Sequence, residues 1–416
     1  MNLPSAWPRL VIAGLFAVTV AVLSAAQALS SASQRTAPQL SLAVFPFNGN
    51  AKERAAYNAL ATSVRAAAGV SGDTLADAAL DDGGSSLGLG ASTEDLKTFA
   101  SAAGMTAREA IASEPLLPRA FAILAIAEQD PLRKKSIVER ASQYSRRDPI
   151  LQVLVLEQKG ASGDYVGAVD TIDQILRVRP ERQKELFPVL AKALEERAAV
   201  PGFARLLARP LPWRDSFLSF AVNQPGALEH LATIRQRMGP VNKDFDQKLV
   251  AQLAASGRMS AAERVYRHIS KASAPDAKST VIDWRSDYPP FDWKLANEPD
   301  FRAQIGDRSD ELEIKVAPGN GGVIASRLLR NPERPFTLSL AHPVEPSEQV
   351  KDMKLALACA GQATAFFERP FTEDASNFAV GDIPPCPYFS VSILARSWTG
   401  TQALTGSLSS LRIALN

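Results

Sequence analysis

The chain has 416 residues, of which 46% are hydrophobic, and its formal net charge at pH 7 is +2. That length accommodates two or three domains, and the apolar fraction is sufficient to fill a core in each of them. The near balance of charge argues against a dedicated nucleic-acid-binding protein, which would carry a basic face or stripe.

The first predicted element is an uncharged run of twenty residues, 10–29, which follows Arg9. A helix of this length spans the hydrocarbon core of a bilayer, about 30 Å thick, and Arg9 favours a cytoplasmic N-terminus. Ala26-Gln27-Ala28 is also an acceptable cleavage site, so a cleaved signal peptide remains open beside an uncleaved anchor. We favour the anchor because the run is longer than a typical signal core. Both interpretations place the residues after 30 outside the cytosol.

Residues 1–30 are thus the predicted anchor or signal segment, and residues 31–93 a tether, a first helix and a mobile loop. The polar stretch 30–39 predicts the tether, and apolar residues at helical spacing predict a helix over 51–68. Residues 69–92 are rich in Gly, Ser and Asp without a sustained period, which is typical of a loop.

Residues 94–276 show the pattern of helical hairpins. Within 150–180, two antiparallel helices are predicted to join at Gly163-Asp164. The second helix carries one apolar stripe, formed by Tyr165, Val169, Ile172 and Leu176. A single hairpin cannot bury both of its faces, so the pattern requires similar hairpins on either side.

Prolines punctuate this region at a constant interval. Pro118, Pro149 and Pro180 lie 31 residues apart, and Asp130-Pro131 predicts a capped helix start. Between the better copies, residues 209–214 interrupt the period. We interpret them as a connection against which Trp213 packs.

The hairpin region resembles the tetratricopeptide repeat family. The residues that carry the resemblance are Gly163, Asp164, Tyr165, Ala168, Ile172 and Pro180, then Gly257, Ala262, Tyr266 and Ile269, and more weakly Ile137, Ala141 and Tyr144. The sequence departs from the family at Gln152, Leu156 and Lys159, where an aromatic residue, a glycine and a tyrosine are usual. The resemblance implies an α-solenoid that binds protein or peptide, without carrying over the family's peptide-contacting residues.

From 277 to 416 the apolar period changes to two. The alternating apolar positions are Leu312, Ile314 and Val316; Phe336, Leu338 and Leu340; Leu355, Leu357 and Cys359; Phe389, Val391 and Ile393; and Leu411, Ile413 and Leu415. Half-buried strands separated by Gly/Pro turns predict an antiparallel β-sandwich. Gly319-Asn320-Gly321-Gly322 predicts a tight hairpin turn between two of the strands.

The spacing of the predicted strands in this domain resembles that of jelly-roll modules of the carbohydrate-binding kind. With the element Pro290-Phe291-Asp292-Trp293, the whole arrangement also resembles uncharacterised envelope proteins of alphaproteobacterial type. That second resemblance implies an association with exopolysaccharide production.

Catalytic and metal-binding patterns are not found in the sequence. His230, His268 and His342 have no metal-ligand spacing, and no serine lies in a GxSxG elbow. Asp283, Asp287 and Asp292 could contribute a carboxylate to a glycan-acting enzyme. The alternative is a linker whose aromatic residues cover the seam between the solenoid and the sandwich. We therefore predict no enzyme, no catalytic residue, no cofactor and no metal.

Four aromatic residues are the candidate ligand contacts: Trp284, Tyr288, Trp293 and Trp398. Sugar rings stack their apolar faces on such side chains, whereas the alternative is that a buried Trp anchors the sandwich core. Cys359 and Cys386 are the candidate disulfide, expected in an oxidising compartment, with two buried thiols as the alternative.

The sequence therefore predicts a multidomain α + β protein: an N-terminal transmembrane helix, a tetratricopeptide-like α-solenoid and a C-terminal antiparallel β-sandwich. The expected function is a single-pass inner-membrane scaffold with its bulk in the periplasm, whose repeats bind an envelope protein or peptide. The alternative is a carbohydrate-binding accessory of exopolysaccharide assembly or export. No nucleic-acid partner is expected.

Overall fold

The computed structural model describes residues 7–67, 93–145, 148–270, 279–308, 310–372 and 374–415. Within these ranges, α-helices form the N-terminal part and antiparallel strands form the C-terminal part, which confirms the predicted multidomain α + β class. The chain divides into two compact units, Met1–Arg182 and Gln183–Asn416. The predicted loop 69–92 and the predicted boundary between 276 and 277 lie outside the described residues.

Fourteen α-helices occur in the described ranges. In chain order they are α1 (Trp7–Ser33), α2 (Pro38–Val44), α3 (Gly49–Ala67), α4 (Thr93–Ser113), α5 (Pro118–Ala127), α6 (Pro131–Tyr144), α7 (Pro149–Ala161), α8 (Tyr165–Val178), α9 (Gln183–Leu194), α10 (Val200–Leu207), α11 (Arg214–Ala221), α12 (Leu228–Arg235), α13 (Lys243–Ala255) and α14 (Met259–Ser270). Short 3-10 turns precede α9 and α10.

The N-terminal helix is present as predicted over its described residues. The part of α1 from Leu15 to Ser33 is long and apolar enough to cross a membrane, and its side chains are mostly exposed. The predicted polar tether differs from the structure. Because α1 continues to Ser33 and α2 begins at Pro38, the connection between the two helices is only residues 34–37.

The three evenly spaced prolines mark helix starts. Pro118 begins α5, Pro149 begins α7, and Pro180 begins the 3-10 turn that follows α8. Proline is tolerated at the first helical position because the N–H that it lacks would have no intrahelical acceptor there. The 31-residue interval in the sequence is therefore an interval between helix starts.

The predicted hairpin at Gly163-Asp164 is present. Gly163 has a positive φ of 71°, which glycine adopts without steric cost. Asp164 caps α8, since its carboxylate accepts a 2.9 Å hydrogen bond from the Gly167 N–H. The apolar stripe of α8 packs inward, with Val169, Ile172 and Leu176 all buried.

In the second unit, Trp213 packs against helices as predicted. Its side chain is fully buried, and its ring centroid lies 6.4 Å from that of Phe187 on α9 and 5.8 Å from that of Phe217 on α11. The irregular segment before α11 thus supplies a large aromatic to the helical core.

Strands follow residues 271–278, which the structure does not describe. They are β1 (Ser279–Ile282), β2 (Lys294–Leu295), β3 (Phe301–Ile305), β4 (Glu311–Val316), β5 (Gly321–Arg330), β6 (Phe336–Ala341), β7 (Val344–Glu345), β8 (Lys354–Cys359), β9 (Ala365–Pro370), β10 (Ala375–Val380), β11 (Tyr388–Arg396), β12 (Leu404–Ser409) and β13 (Leu411–Leu415).

The described strands form three antiparallel sheets. Their strand orders are β1-β13-β6-β10, β2-β5-β11-β8-β9 and β3-β4-β12-β7. Alternation places the predicted apolar positions inside, as in β4, where Leu312, Ile314 and Val316 are buried. The predicted positions of β13 are less uniform: Leu411 is fully buried, Ile413 is half-buried and Leu415 is 36% exposed.

The glycine-rich segment before β5 is a turn, but it does not close a hairpin. Gly319 has the expected positive φ of 80°. β4, on one side of it, pairs with β3 and β12, whereas β5 pairs with β2 and β11. The segment therefore carries the chain from one sheet to another, a role that turn-forming residues alone do not distinguish from a hairpin.

The predicted disulfide is confirmed. Cys359 ends β8 and Cys386 precedes β11, and their Cα atoms are 5.9 Å apart. β8 and β11 are neighbours in one sheet, with Cys359 opposite Phe389. The bond therefore ties the residues that lead into β11 to the strand beside it.

Candidate functional site

An open groove lies on the first unit between α6, α7 and the start of α8. Its volume is about 550 Å³. The lining side chains are Pro131, Lys134, Lys135, Val138, Glu139 and Ser142 from α6, Leu154, Val155, Gln158, Lys159 and Ala161 from α7, and Ser162 and Asp164 from the following turn. A groove between packed helices is a surface that can accept a segment of another chain.

Two capped helix starts position the walls of the groove. Asp130 accepts a 2.9 Å hydrogen bond from the Leu132 N–H and begins α6. Asp148 accepts from the first N–H groups of α7 and also forms an ion pair with Arg119 at 3.1 Å. These caps satisfy N–H groups that have no intrahelical partner, so both helices begin at defined residues.

The groove has an apolar floor and a charged rim. Val138 and Leu154 are buried at its base. On the rim, Lys134 pairs with Glu157 at 3.1 Å and Lys135 with Glu139 at 3.9 Å. Exposed pairs of this kind contribute at most about 1 kcal/mol, so both lysines can exchange their partner for a carboxylate on a ligand.

Lys159, one of the departures from the repeat family, has a structural role. Its Nζ donates to the Gly167 carbonyl oxygen and to the Thr171 Oγ1, both at 2.9 Å. The ammonium group therefore links α7 to α8 and sets the spacing of the hairpin beside the groove.

Two of the four predicted ligand contacts lie in the core of the sheet region. Trp284 and Trp293 are both 0% exposed, and their ring centroids are 4.5 Å apart. The Trp284 Nε1–H donates to the Leu408 carbonyl oxygen at 3.1 Å. Neither ring presents a face to solvent in this structure, so their visible role is to fill the core.

Tyr288 lies at the seam between the helices and the strands of the second unit. It is half-buried, its ring centroid is 6.5 Å from that of Tyr266 on α14, and the Lys243 Nζ is 6.0 Å from its centroid. The ring thus contacts α13 and α14, although it belongs to the segment between β1 and β2.

The three aspartates near these aromatics have different surroundings. Asp283 is exposed, and Asp287 forms a 2.5 Å ion pair with Lys243. Asp292 is buried and accepts hydrogen bonds from the Tyr266 hydroxyl at 2.8 Å and the Tyr288 N–H at 3.0 Å. Two of the three carboxylates are therefore held by contacts between helices and sheet region.

Asp292 belongs to a buried polar cluster with Tyr266 and Arg327. Burial lowers the pKa of the Arg327 guanidinium, while Tyr266 and Asp292 nearby act in the opposite direction. Burial and the adjacent Asp292 raise the pKa of the Tyr266 hydroxyl, so it remains a donor at neutral pH. The charge-assisted hydrogen bond from Tyr266 to Asp292 joins α14 to the segment between β1 and β2.

Replacing Tyr266 by phenylalanine should therefore destabilise the second unit by about 1–3 kcal/mol, because Asp292 remains buried with one donor fewer. Chemical denaturation followed by intrinsic fluorescence measures the change. Tyr144→Phe is the matched control, since Tyr144 is 62% exposed and should change stability by less than about 0.5 kcal/mol. Equal stability of the two variants would contradict a structural role for the cluster.

Trp398 is the predicted contact with a partly exposed indole. Its Nε1–H donates to the Asp352 carboxylate, and the Lys351 Nζ lies 5.3 Å from its ring centroid. The buried Gln349 accepts a 3.0 Å hydrogen bond from the Trp398 N–H. The ring lies just after β11, beside the Lys351 ammonium group and the Asp352 carboxylate, and the Thr401 hydroxyl donates to the Trp398 carbonyl oxygen at 2.8 Å.

One histidine–serine pair was missed in the sequence. The His342 Nε2 and the Ser376 Oγ are 2.8 Å apart, and both residues are 1% exposed. Ser376 Oγ also accepts from the Thr372 N–H at 2.9 Å, so its own proton is available to His342. The 34-residue separation gives no sequence signal, since the pair forms only where β10 aligns with the end of β6.

Burial lowers the pKa of His342, with Asp374 nearby acting in the opposite direction. Below about pH 6.5, the ordinary pKa of histidine, the unfolded chain therefore binds more protons at this site than the folded chain. Stability should fall as the pH decreases from that value, by at most about 1.4 kcal/mol per pH unit. Denaturant unfolding at pH 5.5 and at pH 7.5 measures this decrease in stability. In the His342→Gln variant the decrease between the two pH values should be smaller. The same pH dependence in both proteins would contradict this assignment.

Among the described residues, no group of three or more His, Cys, Asp or Glu side chains could hold a metal ion. Comparison of the chain with models of known protein families gives no match, and comparison with curated proteins gives none either.

Proposed function

We propose that this protein is a membrane-anchored scaffold whose helical hairpins bind a partner protein or peptide in the envelope. The observation that supports this most is the groove between α6 and α7, with its buried apolar floor and its lysine rim. The regular helix starts and the tetratricopeptide-like residues around Gly163 agree with a repeat scaffold. α1 would hold it in the inner membrane, with the bulk of the chain in the periplasm.

The chemistry of the groove selects a class of ligand. A peptide that inserts an apolar side chain against Val138 and Leu154 and offers carboxylates to Lys134 and Lys135 would fit it. Such a ligand would replace two surface ion pairs without leaving a buried charge unpaired.

The test is a charge reversal with a matched control on the same helix. The double variant Lys134→Glu/Lys135→Glu reverses the rim, whereas Arg133→Glu/Arg140→Glu makes the same charge change at residues that do not line the groove. The full chain would be purified from native membranes with its associated proteins. Two pairs of up to about 1 kcal/mol each correspond to a loss of up to roughly 30-fold.

We expect the rim variant to lose its associated protein by that factor and the control variant to retain it. Equal recovery by both variants would remove the groove from the proposal. No associated protein above an unrelated anchored control would remove the scaffold function itself.

A second candidate is a carbohydrate-binding accessory of exopolysaccharide assembly, supported by the surroundings of Trp398. A sugar could contact the exposed part of the indole while Asp352 and Thr401 hydrogen-bond its hydroxyl groups. Calorimetric titration of the full chain with purified exopolysaccharide tests this. Trp398→Ala should abolish the heat that wild type and Tyr144→Ala both give. No heat with wild type, or no effect of Trp398→Ala, would reject this candidate.

A further inference from the structure

The connection between α1 and α2 is fixed by buried hydrogen bonds. Ser30 on α1 and Ser41 on α2 are both 0% exposed. The Ser41 hydroxyl donates to the Ser30 carbonyl oxygen at 2.9 Å, which leaves the Ser30 hydroxyl to donate to Ser41 Oγ at 2.6 Å. The Asn48 side-chain amide then donates to Ser30 Oγ at 2.8 Å. The membrane-length helix is thus joined to the next elements by a polar cluster in which both serines are fully buried and Asn48 is half-buried.

These contacts fix the position of α2 along the axis of α1. Ser30 lies three residues before the end of α1, which corresponds to about 4.5 Å of helix rise. Because Ser41 touches it, α2 is held beside the last turn of α1. If α1 spans a bilayer, α2 and the segment after it lie at the depth where the hydrocarbon core ends.

The surface of α2 and the residues after it has the composition expected at the edge of the hydrocarbon core. Residues 36–51 carry no charge, and Arg35 is the one charged residue between Arg9 and Lys52 in the sequence. Leu40 is 54% exposed and Phe47 is 74% exposed, with Phe47 packed edge-on against Phe45 at 5.8 Å between centroids. Single exposed apolar residues are ordinary on a soluble protein, but exposed Phe and Leu side chains directly after a membrane-length helix are of the kind that enter the boundary between headgroups and acyl chains.

We propose that residues 34–48, the elbow, are a second membrane-contacting surface of this protein, resting on the proposed anchoring by α1. Leu40 and Phe47 enter the boundary between headgroups and acyl chains, and the exposed Arg35 reaches lipid phosphates. The polar cluster at Ser30 transmits this contact to α3, so the first unit has a fixed orientation at the bilayer. Only a chain that retains α1 can use the elbow in this way.

Site-directed spin labelling of the full chain tests the depth of the elbow. Cys359 and Cys386 form a disulfide and the sequence has two cysteines, so one introduced cysteine is the single free thiol. Phe47→Cys reports on the elbow and Leu23→Cys on α1, while Leu132→Cys is the matched exposed apolar control at 77% exposure. The probes are collisions with oxygen, which concentrates in bilayers, and with a water-soluble nickel chelate.

The proteins would be reconstituted in phosphatidylethanolamine–phosphatidylglycerol vesicles. We expect oxygen to dominate at Leu23 and the nickel chelate at Leu132, with Phe47 shielded from the chelate relative to Leu132 by about tenfold. If Leu23 is in the bilayer while Phe47 matches Leu132, the elbow proposal is wrong and the anchor remains. If Leu23 also matches Leu132, anchoring fails and the elbow proposal fails with it.

Discussion

Replacing Asp246 by alanine is expected to destabilise the second unit by about 3–5 kcal/mol. Asp246 on α13 accepts two hydrogen bonds from Arg235 on α12, at 2.6 and 2.9 Å, and the two side chains are 6% and 7% exposed. Arg235 also donates to the Met238 carbonyl oxygen at 3.3 Å. Removing the carboxylate leaves a guanidinium buried without its counterion, which is the main source of the cost.

The double variant Arg235→Met/Asp246→Leu separates this cause from loss of packing. With both charges removed, stability should return to within about 1–2 kcal/mol of wild type, because a buried ion pair can be replaced by apolar residues of similar volume. Denaturant unfolding of wild type, the single variant and the double variant measures the two changes in stability. Equal destabilisation of the single and double variants would show that the pair stabilises through packing and not through charge compensation.

Removing the disulfide should cost about 3–4 kcal/mol. Cys359 and Cys386 are separated by 27 residues, and closing a loop of that length removes conformational entropy from the unfolded chain of this order. The loop contains β9 and β10, so the bond restricts two strands in addition to β11. The variant Cys359→Ser/Cys386→Ser should unfold at correspondingly lower denaturant, with Trp284 and Trp293 as reporters in the same core.

Reductant provides the control for the disulfide. Wild type in excess reductant should approach the stability of the double serine variant, and the variant itself should not respond. A variant as stable as oxidised wild type would show that the bond is structurally dispensable.

Local sequence signals predicted the elements of this fold well. Pro118 and Pro149 begin helices because proline at the first helical position sacrifices no hydrogen bond. The alternation in β4 and β6 predicted their buried faces because side chains of a strand alternate between its two sides. The disulfide was predicted because Cys359 and Cys386 form a single close pair downstream of an export signal, with two buried thiols as the alternative.

Features that depend on contacts between residues far apart in the chain could not be predicted from local sequence signals. The His342–Ser376 pair requires the register of β6 with β10, and Gly319 looks the same in a hairpin as in a crossing between sheets. The tether predicted over 30–39 is mostly helical, and its polar Ser30 is buried against Ser41, a contact that polarity alone does not show. The groove likewise depends on how α6 and α7 pack.

The aromatic residues near the sheet region illustrate the limit on predicting the site. Trp284, Tyr288, Trp293 and Trp398 look alike in sequence, each beside polar neighbours. Two of them are fully buried, one lies at the seam with the helices, and Trp398 keeps part of its ring exposed. Composition indicated where aromatic contacts are concentrated, and tertiary packing determines which ring can meet a ligand.

Photo-crosslinking from the groove in native membranes tests the scaffold function most directly. A photoreactive residue at Ser142 lies in the groove, and the same residue at Arg140, on the same helix, does not. We expect Ser142 to crosslink one defined protein or peptide, and expect Lys134→Glu/Lys135→Glu to abolish that product. Equal, diffuse crosslinking from Ser142 and Arg140 would contradict the proposal that this groove binds a partner.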